Sequence, residues 1–216
     1  MTSKPFIIAA SLKEQILSGH WRPGERLTER TLCERMSAGR SSVREALQQL
    51  LQEGFVENEP NRGYRVATLN ASEAADIYQV RSVLEGLAAR NFINMATEAQ
   101  RSALQESLDA LEVSVEAGDV KAQLAAIELF YSVLLSGCYN LVLKSTLESL
   151  HSKISRLRAT SILSPGRIRN TLKEMRRIGD AIRDNDEEAA FHACLAHMQY
   201  TSAVAIRMIS TLKVKG

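Results

Sequence analysis

Proline is the scarcest punctuation in this 216-residue chain, and its placement constrains the fold most. It stands only at positions 5, 23, 60 and 165, and glycine occurs 11 times. Both residues interrupt helices, proline by removing an N–H and glycine by its backbone entropy. So few breakers predict long helices. Apolar residues recur at the matching period. Ile8, Leu12 and Ile16 follow at four-residue spacing, and Val43, Ala46, Leu47, Leu50 and Leu51 occupy i, i+3, i+4, i+7 and i+8.

The first third holds the shorter elements. Residues 5–18 predict a helix ended by Gly19. Thr28 caps a second helix carrying Leu32, Cys33 and Met36, and Ser37-Ala38-Gly39 makes a tight break. A third helix starts at Ser41 or Ser42, where Ser42-Val43-Arg44-Glu45 fits a capping box, and Gly54 stops it. Residues 55–59 and 64–67 predict two strands around a Pro60-Asn61-Arg62-Gly63 turn. Three helices followed by a hairpin is the layout of a winged helix-turn-helix.

Beyond residue 70 the strand signals stop. Six helices are expected, over 72–93, 97–117, 119–137, 140–163, 165–184 and 186–212. Their starts carry Ser72, the Thr97-Glu98-Ala99-Gln100 capping box, Ser164-Pro165 and Asp186. The expected fold is mainly α, with a winged helix-turn-helix over 1–70 and an antiparallel six-helix bundle over 71–216. No apolar run approaches the roughly 20 residues of a membrane helix. The N-terminus lacks a signal-peptide core, and three widely spaced cysteines suit a reducing cytoplasm.

Total charge says little about partners, because 27 Lys and Arg against 25 Asp and Glu leave only +2. Its distribution says more. Residues 1–70 hold 10 cations, eight of them Arg, against 8 Glu, whereas residues 71–216 balance at 17 against 17. Arginine presents a planar fork suited to phosphate and guanine. Arg40, Ser41, Ser42 and Arg44 crowd the start of the third helix, where free N–H groups and the helix dipole favour phosphate. Gln48 lies one turn beyond Arg44 on the same side. Arg30 flanks them from the second helix, and Arg62-Gly63 at the hairpin tip suits a narrow minor groove. Each arginine alone fits a solvated, salt-bridged face, with Glu29, Glu34 and Glu45 as partners. The joint arrangement predicts binding to double-stranded DNA.

The same stretch resembles the DNA-binding domain of the GntR superfamily of bacterial regulators. The resemblance rests on ILSG-x-x-x-PGERL-x-E, R-x-x-VREAL-x-x-L-x-x-EGFV and RGYRV, about 60 residues in order. It implies Arg30, Arg40 and Arg44 as main DNA contacts and Gly63 at the wing tip. Ser41-Ser42 departs from the Thr-Pro common at that place. Residues 72–212 resemble the FCD effector domain of the FadR subgroup, through DIYQVRSVLEGLAA and AIRDNDEEAAFHACLAHM. Six helices fit its shorter, VanR-like branch. Such domains bind a small metabolite, typically an organic acid, often beside a divalent metal held by an Asp, a His four residues on, and two later histidines.

Carried over residue by residue, those ligand positions fall on Ile127, Tyr131, Met175 and His197, and only His197 matches. His192 and His197 lie about 140° apart around a helix. One imidazole with Ile, Tyr and Met is a poor hard-cation site, so no metal or other cofactor is expected. Ile127, Tyr131, Met175 and His197 would line an effector pocket, with Arg81 anchoring an anion. The alternative for Arg81 is an i, i+4 pair with Glu85, and for His197 an ordinary buried or solvated histidine.

The expectation is a cytoplasmic, homodimeric, metabolite-responsive regulator, a repressor by family default, reading two half-sites of a palindromic operator. Two other classes remain open. One is a small helical-bundle enzyme, although no GxSxG, HExxH or glycine-rich phosphate loop is present. The other is a winged-helix module for protein contacts.

Overall fold

Residues 3–60, 62–162 and 164–214 are described by a computed structural model. Asn61, in the expected turn, and Leu163, the expected end of one helix, lie outside them. The chain divides into two compact units, Met1–Leu69 with Ser152–Ala159, and Asn70–His151 with Thr160–Gly216.

In the first unit, α1 (Lys4–Leu17), α2 (Glu29–Met36) and α3 (Arg40–Gln52) pack around Leu12, Leu32, Val43, Leu47, Leu50 and Phe55, all fully buried. The apolar spacing of α3 supplies half of that core. Strands β2 (Val56–Glu59) and β3 (Gly63–Val66) form the expected hairpin, with Val56 opposite Val66 and Glu59 opposite Gly63. A third strand, β1 (Arg26–Leu27), pairs antiparallel with β3 and gives the order β1-β3-β2. Two residues are too few to show alternation, so periodicity does not reveal it.

Helix starts differ in detail. Thr28 caps α2 by accepting from the Thr31 N–H at 3.2 Å. The capping box expected at Ser42 does not form. Gly39 is the N-cap of α3, so Ser41 and Ser42 lie inside the first turn. Likewise Asn70, rather than Ser72, caps α4 (Ala71–Met95), accepting from the Glu73 N–H at 2.7 Å.

The second unit contains α4, α5 (Glu98–Ala117), α6 (Val120–Gly137), α7 (Leu141–Ser149), α9 (Arg167–Arg183) and α10 (Glu187–Val214), with α8 (His151–Ile162) crossing the division between units. Helix α10 packs on α4 and α9, and α5 on α6 and α9. Gly118, at φ +68°, and Asp119 alone separate α5 from α6, so the two must reverse direction to pack. The predicted capping box at Thr97 forms in full. Pro165 does not open a helix, since α9 begins at Arg167 behind Gly166 at φ +74°.

The single helix expected over 140–163 is two helices, so the described residues hold seven helices after residue 70 where six were expected. The break falls at Leu150, whose N–H turns back to the Leu147 carbonyl at 3.1 Å. No glycine or proline marks it. Residues Ser152–Ala159, within α8, group with the first unit and so depart from the continuous second domain expected.

Helix α6 corrects one further expectation. Among the described residues it alone is long and apolar enough to cross a membrane, with 18 residues of mean hydropathy 1.2. It packs on α5 and α4 as a core helix. A Cβ at Gly137 would lie 2.5 Å from the Phe92 ring, so glycine permits that close approach to α4.

Candidate nucleic-acid interface and effector site

The α3 start carries the candidate DNA contacts. Arg40, Ser41 and Arg44 are exposed there and Ser42 is half-buried. The first helical N–H groups have no partner within α3, and Gly39 offers no side-chain acceptor, so they face outward. Arg44 is not free. Its Nε and Nη2 donate to Glu29 Oε1 and Oε2 at 3.0 and 3.1 Å, a bidentate pair linking α3 to the first turn of α2. The Arg44 hydrogen bonds hold the Glu29 carboxyl below its ordinary range, and Glu29 in turn raises the Arg44 pKa. The pair is solvent-facing, with Arg44 65% and Glu29 30% exposed.

Gln48, one turn beyond Arg44, donates from Nε2 to Tyr64 Oη at 2.6 Å. The aromatic ring of β3 is buried against the core, so its hydroxyl is the polar group within reach of α3. Arg30 is exposed and only loosely paired with Glu34 at 3.8 Å. In the wing, Arg65 bridges Glu57 and Glu59, both at 2.9 Å. Arg62 and Gly63 are exposed at the tip, and Gly63 takes φ +81° with open space around it.

The second unit buries a charge network. Arg81 donates from Nε to Glu85 Oε1 at 2.7 Å with both residues buried, so the i, i+4 pair forms. Burial works against the charged guanidinium, but electrostatic interaction with Glu85, Tyr131 and Tyr78 and the Glu85 hydrogen bond hold the Arg81 pKa up. Its guanidinium carbon lies 5.7 Å from the Tyr131 ring centre and 5.4 Å from that of Tyr78. The second oxygen of Glu85 has no hydrogen-bond partner among the described residues.

His197 joins a second set that sequence reading missed. Glu174 accepts from Arg167 Nη1 at 2.7 Å and Nη2 at 2.5 Å, and from His197 Nδ1 at 2.7 Å. Thr201 Oγ1 accepts from Arg167 and donates to the His197 carbonyl, both at 2.8 Å. Burial keeps His197 neutral, against the pull of Glu174, so its Nδ1 carries the hydrogen. Desolvation raises the Glu174 pKa, but bonds from His197 and Arg167 lower it on balance. The only local hint was the Arg167, Thr171, Glu174 spacing, which lines polar residues on one side of α9. Ile127 and Met175 are buried in α6 and α9, and nothing polar ties them to His197.

These residues do not fit the divalent metal that the FCD resemblance implies. Ile127 has no donor atom, Met175 is a soft thioether, and His197 Nδ1 is engaged by Glu174. Among the described residues no group of three or more His, Cys, Asp or Glu is placed to hold a metal ion. His192 is exposed and lies 3.7 Å from Glu188.

Comparison with known proteins fits both units. The model of bacterial regulatory proteins of the gntR family matches residues 7–66, and that of the FCD domain matches residues 76–200. The Nta operon transcriptional regulator of Aminobacter aminovorans is 31% identical over 85% of each chain. The chain belongs to the GntR family of bacterial transcriptional regulators. This GntR-family chain is also 29% identical to the HTH-type transcriptional regulator YdhC of Bacillus subtilis, over 88% of its own length and 85% of that protein's. A GntR transcriptional regulator from Rhodococcus sp. RHA1 superposes with a TM-score of 0.77 at 25% identity, covering 94% of this chain and 98% of that one. Regulators rather than enzymes surround it, which closes the enzyme alternative, and family members bind operator DNA.

Proposed function

We propose that this GntR-family regulator represses transcription by occupying a two-fold symmetric operator as a homodimer in the cytoplasm. A small organic acid bound in the helical unit sets operator affinity. The observation that carries the DNA reading is the convergence of Arg40, Ser41, Ser42 and Arg44 on the α3 start, flanked by Arg30, Gln48 and the Arg62-Gly63 wing tip. The N-terminal residues of a recognition helix reach base edges, while a wing cation suits the minor groove. Two-fold DNA symmetry matches a two-fold dimer.

The effector reading rests on buried charge in the helical unit. Arg81 and Arg167 are cations out of water, and such groups are retained where they meet anions. Arg167 Nε and the free oxygen of Glu85 are buried without hydrogen-bond partners among the described residues. A ligand carboxylate would accept from the Arg167 Nε–H, and a ligand hydroxyl would donate to the Glu85 oxygen. Tyr131 lies beside Arg81 and His197 beside Glu174, and Ile127 and Met175 would supply apolar lining. No metal is required, because the cationic role is filled by guanidinium groups.

The test is a mobility shift with the full-length protein and promoter fragments from its own genome, repeated across a series of small mono- and dicarboxylic acids. Retarded complexes that one acid dissolves support the reading. A protein that retards no fragment at any salt concentration contradicts it.

A further inference from the structure

The structure assigns Glu29 a role in sequence discrimination: it holds Arg44 as a reader of guanine and keeps it from acting as a simple phosphate-binding cation. This inference rests on the DNA-binding reading above.

Arginine has five N–H donors arranged around a plane. Glu29 takes one edge, the Nε–H and one Nη2–H, at 3.0 and 3.1 Å. The far edge, one N–H on each of Nη1 and Nη2, is left intact. That edge is the fork that matches O6 and N7 of guanine. The clamp also fixes the guanidinium plane. Arg44 is 65% exposed, and a long cation so exposed would otherwise sample many rotamers. Glu29 sits in the first turn of α2, whose Thr28 cap fixes that turn, so the clamp is anchored by a neighbouring helix.

The charge argument runs the same way. Arg44 draws the Glu29 carboxyl below its ordinary range, so the pair is ionised at neutral pH and nearly neutral overall. Non-specific binding follows cation charge near the phosphates. A carboxylate bonded to Arg44 lowers that charge and leaves hydrogen-bond geometry as the main contribution of the residue. Arg40 also acts on Glu29 electrostatically, which places the carboxylate within the cluster at the α3 start.

The test uses the full-length protein and two duplexes of equal length, one recovered by in vitro selection with the wild type and one scrambled. Fluorescence anisotropy gives the affinity ratio between them. Glu29→Gln keeps the shape of the side chain and removes its charge. The expected result is a fall of about tenfold in the ratio, with scrambled-duplex binding tightened severalfold. Arg44→Lys keeps a cation but loses the fork, so it lowers the ratio alone, and Glu29→Gln added to it changes the ratio no further. A ratio unchanged by Glu29→Gln, a ratio that rises, or an equal fall when Glu29→Gln is added to Arg44→Lys overturns the inference. A wild type that selects no duplex overturns the DNA-binding reading instead. Should Glu29→Gln fail to fold, Glu29→Ala enters the same cycle with the same expected outcomes.

Discussion

Gln48 in α3 and Tyr64 in β3 are joined side chain to side chain at 2.6 Å. The bond ties the recognition helix to the wing, sixteen residues later in the chain. Tyr64→Phe removes it with little change of shape. We expect a loss of about 0.5–1.5 kcal/mol in unfolding free energy, read by urea denaturation. A freed Gln48 should also broaden base preference in a selection experiment. Unchanged stability and an unchanged selected motif would leave the bond without consequence.

The His197 neighbourhood predicts a pH dependence. Burial lowers the His197 pKa in the fold below its ordinary 6.5, so the unfolded chain binds the proton more readily. Stability is therefore complete above about pH 6.5 and is lost as pH falls through the depressed native value. Denaturation at a series of pH values should show the decline, and the His197 ring resonance should titrate below the ordinary 6.5. A flat profile from pH 7 to 5 would contradict a buried neutral imidazole.

Arg167 and Glu174 should behave as a unit. Arg167→Met strands the Glu174 carboxylate and should cost about 3–5 kcal/mol. Adding Glu174→Leu should recover much of that loss, because the buried charge is gone. A double variant no more stable than Arg167→Met alone would mean the pair is not the source of the cost.

Metal removal should change nothing. After chelation and repurification, the protein should bind DNA, respond to its effector and melt as before. One equivalent of zinc retained through that treatment would contradict the reading of Ile127, Tyr131, Met175 and His197.

The sequence made the winged unit legible because its information is local. Apolar period, cap residues and the turn before Gly63 each act over a few residues. The β1 strand escaped because two residues carry no period, and the α7–α8 break because Leu150 is an ordinary helix former. Arg81 with Glu85 was visible as an i, i+4 pair, although its complete burial was not. In the Arg167, Glu174, His197 set the bonded Glu174 and His197 stand 23 residues apart on consecutive helices, so no window of a few helical turns contains it. Arg44 was found as a cation at the right place. Its engagement by Glu29 depends on how α2 meets α3, which periodicity does not specify.

The most direct measurement of the central claim is operator binding by Arg44→Ala, compared with the wild type on the duplex recovered by selection. The account predicts a roughly tenfold to hundredfold weaker complex, an unchanged unfolding midpoint, and a smaller loss on scrambled DNA, where Glu29 is left unneutralised. Undiminished binding by a folded Arg44→Ala protein would contradict the assignment of α3 as the reading helix.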